Sequence, residues 1–310
     1  MSRFILATFA SILLAVAIGV AFLIAPHRLP ASVLTADYKP NLAKGETLFI
    51  AGNCSACHTA PGETNRKKLA GGVKLNSSFG RFVTPNISPD VKDGVGGWTD
   101  LQFVNAMKRG VGRHGEHLYP SFPYGAYSLL STADVRDLFA YIKTLPAVAG
   151  ARPPHQLKFP FNLRPAVGVW KALYFKPVEF LPDPKQSADW NRGAYLAEGP
   201  AHCAECHTPR GALGGVVATS RYAGAPNLEA GGRYASNITP DEDGLGDWTA
   251  QDIADFLKSG TDKCFNEPTG MRDVVASTSN LSEADLSAIG TYIHALPARP
   301  GGAGLSLIHI

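Results

Sequence analysis

The 310-residue sequence contains only three methionines and five cysteines, and charged residues make up 18% of it. Its 29 basic and 26 acidic side chains give a formal net charge of +3 and are spread along the chain, with no block of one sign of the kind that grips nucleic acid. Nucleic acid is therefore not an expected partner. A hydrophobic content of 45% excludes a disordered chain, and the length suffices for two ordinary domains. No stretch sustains the period-two alternation of half-buried strands, so an extensive sheet is not expected.

Charge is absent altogether from residues 4 to 25, FILATFASILLAVAIGVAFLIA. That run exceeds the roughly 7 to 15 residues of a signal-peptide core and reaches the roughly 20 needed to cross a bilayer. No small-x-small cleavage site follows before Pro26. The expectation is an uncleaved signal anchor, a transmembrane helix within residues 1–28, with a cleaved signal peptide as the alternative. The positive-inside signal of Arg3 is weak because His27 and Arg28 flank the other end. Either reading sends the rest of the chain out of the cytoplasm, and an anchor puts it on the periplasmic face of the inner membrane.

The chain repeats itself at an offset of about 150 residues. NCSACHT, PNISPD, GVGGWT and KTLP in the first half return in the same order as HCAECHT, SNITPD, GLGDWT and HALP in the second. Two homologous domains follow, over 38–148 and 188–300. Each holds a candidate helix before the cysteine motif, at 43–52 and 191–200. A second helix follows Trp98 or Trp248, opened by Thr99 with Gln102 or Thr249 with Asp252 and stopped at Gly110 or Gly260. A third opens at Ser131 or Ser282, with Asp134 or Asp285 three positions on, and ends at Leu-Pro. The fold class expected is mostly α with long loops. The Pro-rich segment 149–187 contains the apolar stretch 166–175, which predicts a short helix near Val167 to Phe175 that packs across the domains. Residues 301–310 form a tail whose end, LSLIHI at 305–310, reads like a translated sequencing-adaptor sequence and is left out of fold reasoning.

C-x-x-C-H is the attachment signature of c-type haem: two thiols add to the porphyrin vinyl groups, and the adjacent histidine supplies the proximal nitrogen. This assigns Cys54, Cys57 and His58 to one covalent haem c and Cys203, Cys206 and His207 to a second. A thioredoxin-like redox CxxC calls for a βαβ pattern, absent here. Four-ligand zinc needs another Cys or His pair nearby. Two structural disulfides fit the cysteine spacing less well than the following histidines do. For the sixth ligand, methionine is the usual candidate, and Met271 lies in the Gly- and Pro-bearing loop EPTGMRDVV, where it can reach iron. Met107 matches Leu257 in the repeat and reads as core. The repeat offset puts the counterpart of Met271 near Pro120, Ser121 or Phe122, none of which binds iron strongly. His117, His114 or no protein ligand remain for the first haem. Trp98 and Trp248 read equally as core residues or as indole donors to a haem propionate. Cys264, at the position of His114, has no obvious mate.

With these motifs and the loop LYPSFPY at 118–124, the sequence resembles the diheme c-type cytochromes of bacteria, in particular the cytochrome subunits of periplasm-facing alcohol, gluconate and aldehyde dehydrogenases. The resemblance covers roughly residues 40 to 300. It implies two tandem cytochrome c-like domains of class I type after the N-terminal transmembrane helix. It also implies electron relay from a periplasmic or membrane dehydrogenase to quinone, an oxidase or a soluble cytochrome. In that family the loop commonly reads LYPAMPY, with methionine as distal ligand of the first haem. Phe122 departs from it, and the third CxxCH domain of some members is missing. The rival expectation is a diheme redox enzyme, of thiosulfate dehydrogenase or peroxidase type, with the first haem as the reactive site.

Overall fold

The computed structural model describes residues 2–227, 233–261 and 270–301. Cys264 and the segment 305–310 lie outside the described residues. The uncharged N-terminal run forms a single helix, α1 (Ser2–Ile24), because nothing in it breaks the helical pattern. At 1.5 Å per residue its 23 residues span about 34 Å, enough for a bilayer core of about 30 Å. By length and composition it fits a membrane anchor and a signal sequence alike.

The first unit consists of α2 (Leu42–Ala51), the short α3 (Cys54–His58), α4 (Asp100–Arg109), the short α5 (Tyr124–Tyr127) and α6 (Thr132–Lys143). An interdomain helix, α7 (Arg164–Tyr174), follows. The second unit repeats the order with α8 (Ala188–Glu198), the short α9 (Ala204–His207), α10 (Ala250–Ser259), α11 (Arg272–Thr278) and α12 (Glu283–His294). The helix starts expected from the sequence are present as caps. Thr99 and Gln102 close a reciprocal capping box on α4, as Thr249 and Asp252 do on α10. Gly110 and Gly260 stop those helices in the left-handed conformation.

Each unit has a close crossing between its first and last long helices. A Cβ on Gly45 of α2 would lie 2.2 Å from the Asp137 carbonyl oxygen in α6, and one on Gly193 of α8 would lie 1.9 Å from that of Ala288 in α12. Only glycine lets the paired backbones approach so closely. Around the first crossing, Leu48, Val104, Val135, Phe139 and Ile142 are buried; Leu196, Ile253, Leu286, Ile289 and Ile293 are buried around the second. Full burial of each such side chain contributes about 1.5–3 kcal/mol.

Among the described residues strand is scarce but present, in two small sheets. β1 (Lys74–Ser77), β2 (Gly80–Val83) and β3 (Gln156–Leu157) form an antiparallel sheet, and β4 (Ala225–Asn227) pairs antiparallel with β5 (Arg233–Ala235). At two to four residues, these strands are too short for alternation to register in the sequence. In the segment between the units, helix α7 covers Arg164–Tyr174, where Val167 to Phe175 was expected. Lys171 on α7 donates to the carbonyls of Arg109 and Gly110 at 2.7 Å each, at the negative end of α4, while burial lowers its ammonium to about 7. Trp170 donates to the Leu213 carbonyl of the second unit at 3.0 Å. Gly168 backs onto the carbonyl of Ile24, where α1 ends.

Candidate haem-attachment sites

Both cysteine motifs follow a helix that ends in a tight turn. The residue before the first cysteine is left-handed in each case, Asn53 at φ 45° and His202 at φ 39°. Such a conformation costs a non-glycine residue roughly 1–2 kcal/mol and is typical of functional turns. The turn starts a new helical turn in a new direction, and its i, i+3 spacing puts both thiols of a motif on one face. Cys54 and Cys203 are half-buried, whereas Cys57 and Cys206 are exposed. Burial pushes the Cys54 and Cys203 thiols up to about 12, the opposite of the lowered thiol of a redox-active CxxC.

The two histidines are oriented identically. Nδ1 of His58 lies 2.9 Å from the Pro85 carbonyl oxygen, and Nδ1 of His207 lies 2.7 Å from that of Ser236. A carbonyl only accepts, so Nδ1 carries the hydrogen and Nε2 keeps its lone pair, the tautomer that a metal-binding imidazole requires. Burial holds both rings below the ordinary histidine value, favouring the neutral form.

The repeated Asn-Ile-x-Pro-Asp segments, whose role the sequence did not disclose, position those carbonyls. Asn86 donates to the Val148 carbonyl at 2.7 Å and accepts from the Ser88 N–H at 2.9 Å. Asn237 does the same with Arg299 at 2.8 Å and Thr239 at 2.9 Å. Gly71 and Gly224 then donate their N–H groups to the carbonyls of His58 and His207, at 2.6 and 2.9 Å. A Cβ on Gly71 would stand 2.2 Å from the Pro85 oxygen. The geometry fits a covalently held haem at each motif: two thiols on one face, and an imidazole with its free nitrogen fixed by the loop behind it.

Of the candidate sixth ligands, Met271 is half-buried and forms the N-cap of α11. Phe122 stands just ahead of α5, packed against the core that also borders Cys54. Met107 is buried in that core, on the helix where Phe103 stacks on Phe139 at 4.2 Å. His114 is exposed in its loop. His117 is 5% exposed, and its Nε2 donates to the Ile24 carbonyl at the end of α1, 2.8 Å away. Trp98 and Trp248 pack against the cores of their own units, Trp248 also edge-on to Phe256 at 5.8 Å.

The two motifs meet at a seam. A Cβ on Gly52, just before the first motif, would lie 3.4 Å from the Cys54 sulfur and 3.5 Å from the Pro200 carbonyl oxygen, just before the second. His202 lies edge-on to Tyr127 of the first unit, with ring centroids 5.7 Å apart. Further out, Ser277 donates to the Ile50 carbonyl at 2.9 Å, and the Tyr195 hydroxyl donates to Asp134. The turns that present the two cysteine pairs thus pack against each other.

Comparison with known proteins agrees with this chemistry. The Cytochrome c family model matches residues 42–146. The chain is 42% identical to "Diheme cytochrome c-type" of Cereibacter sphaeroides, over 83% of this chain and 86% of that protein. It is 38% identical to the fructose dehydrogenase cytochrome subunit of Gluconobacter japonicus, covering 84% of this chain and 54% of the relative. With the cytochrome c subunit of the quinone alcohol dehydrogenase of Gluconobacter oxydans, identity is 35%, over 85% and 56%. The chain therefore spans about half the length of these two dehydrogenase subunits. Cysteine motifs set on helical turns, carbonyl-locked histidines and these similarities lead to one conclusion: the chain belongs to the cytochrome c family, alongside the diheme c-type cytochromes and the cytochrome subunits of dehydrogenases.

Proposed function

We propose that the chain is a membrane-anchored periplasmic electron carrier with two covalent haems c, one in each helical unit. In this reading Cys54 and Cys57 hold the first and His58 binds its iron; Cys203, Cys206 and His207 serve the second, with Met271 as its sixth ligand. When bound, haem c supplies a one-electron couple, and the protein tunes it through ligand choice, burial and hydrogen bonding. The chain contributes the imidazole orientation set by Pro85 and Ser236, the apolar surroundings, and a fixed distance between the two sites.

The observation that carries this reading is the seam. Two attachment turns side by side, with Gly52 next to Pro200 and His202 edge-on to Tyr127, favour electron passage within the chain rather than two independent carriers. By analogy with relatives named as dehydrogenase cytochrome subunits, a periplasmic or membrane dehydrogenase is the donor, and quinone, an oxidase or a soluble cytochrome the acceptor. Helix α1 is the anchor, with the haem units on the periplasmic side of the inner membrane.

The purified chain should carry a mass increment of two haems, reduced to one by Cys57→Ala with Cys54→Ala and likewise by Cys206→Ala with Cys203→Ala. It should remain in the membrane fraction, be reduced by a dehydrogenase encoded beside it, and be reoxidised by membranes. A chain with no covalent haem, or one whose haems the dehydrogenase leaves oxidised, would exclude this function. The rival enzyme reading would be favoured by steady turnover of thiosulfate or peroxide without a protein donor.

A further inference from the structure

The repeat gives two independent rulers for aligning the distal loops, and both put Phe122 opposite Met271. The first is sequence: Cys54 and Cys203 are separated by the same interval as Phe122 and Met271. The second is structural. Lys108 on α4 donates through its ammonium to the Leu130 carbonyl, and Lys258 on α10 donates to the Ser279 carbonyl at 2.7 Å. Counting back from the accepting residue by the same number of positions reaches Phe122 in one unit and Met271 in the other. Each stands before the short helix that leads to that carbonyl, α5 or α11.

Phe122 also faces the right place. Its ring lies 5.4 Å from that of Tyr127, which is buried in the core that Cys54 borders. Phe122 and Cys54 border the same core. Among the other donors of the first unit, His117 sits in the corner between α1 and α7, where its Nε2 donates to the Ile24 carbonyl, its own carbonyl accepts from Arg164 at 2.6 Å, and its Nδ1 is buried without a hydrogen-bond partner. Lys108 bonds Leu130 and Glu179, Met107 is set in the core, and His114 is exposed.

We infer that Phe122 leaves the first haem unit without a side-chain sixth ligand, making it a binding site for a small neutral π-acceptor molecule of the carbon monoxide class. The surroundings select for that class: an apolar ring wall of Phe122 and Tyr127 favours a compact uncharged ligand over an anion, whose desolvation it does not offset. The second unit, closed by Met271, takes none. The inference rests on the two-haem reading, and its test separates the two.

The experiment is a carbon monoxide titration of the dithionite-reduced holoprotein, with covalent haem counted by mass in the same sample. Two haems and one carbon monoxide per chain are expected. Phe122→Met, which nearly conserves volume, should abolish binding or weaken it at least about tenfold and add a second thioether-to-iron charge-transfer band. His117→Gln should leave the stoichiometry at one. Two haems with no carbon monoxide bound would overturn the inference, and binding gained only in His117→Gln would identify His117 as the ligand. Fewer than two haems would count instead against the two-haem reading and remove the inference with it. Because the decisive titration uses the unmutated chain, it stands even if a variant does not fold.

Discussion

At the scale of single residues, the site depends on side chains outside the cysteine motifs. The CxxCH motifs were legible in the sequence because two thiols and an imidazole at that spacing have one main use. The asparagines that hold the backing loops were visible only as repeated letters, since their role lies in long-range bonds, Asn86 to Val148 and Asn237 to Arg299. Asn237 is 5% exposed and also accepts from the N–H of Thr239. Replacing it by alanine leaves that N–H without its partner and takes one of two donors from the Arg299 carbonyl, which the Thr239 hydroxyl still reaches at 3.2 Å, and a lost buried bond costs about 1–3 kcal/mol. On the proposed two-haem reading, Asn237→Ala should therefore lower the thermal unfolding midpoint while leaving the covalent haem count unchanged. It should also shift the potential of one haem only, through its freer imidazole. An unchanged melting curve, or an equal shift in both potentials, would contradict the role given to this residue.

Helices were the most legible elements, because capping residues and apolar spacing are local signals. α4 and α10 start and stop where Thr99, Thr249, Gly110 and Gly260 dictate. The five strands among the described residues escaped notice for the opposite reason: at two to four residues, pairing partners rather than periodicity define them. Two glycines with almost the same surface appearance in the sequence differ in consequence. Gly193 lies in the crossing of α8 with α12, where a Cβ would stand 1.9 Å from the Ala288 oxygen, whereas a Cβ on Gly125 in α5 would meet nothing within 4 Å. Gly193→Ala must force the helices apart and should cost at least about 1–3 kcal/mol, the range of overpacked cores. Gly125→Ala should be neutral or stabilising by up to about 1 kcal/mol. Chemical denaturation of the two variants beside the parent decides the matter, and equal midpoints would refute the crossing as the organising contact.

For the whole molecule, the duplication was legible from ordered landmarks, but the relation between the halves was not. Gly52, Pro200 and His202 carry no periodic signal, and their contact is a product of the assembled chain. Across the same junction the Tyr195 hydroxyl reaches Asp134, a 4% exposed carboxylate that also pairs with Lys44. Tyr195→Phe removes one hydrogen bond to a buried charge and should cost about 1.5–3 kcal/mol. In calorimetry that loss should move one shared transition, because the halves unfold together. Two separated transitions in the unmutated chain would show instead that the units are independent. The seam at Gly52 and Pro200 also bears on ancestry. Duplicated domains ordinarily drift apart, since each copy answers only to its own core. Here the turn that introduces one cysteine pair is the packing surface for the turn that introduces the other, so a change in either copy is tested at once by its sibling. The two halves of this chain are bound to diverge in step at that point, however far they wander elsewhere.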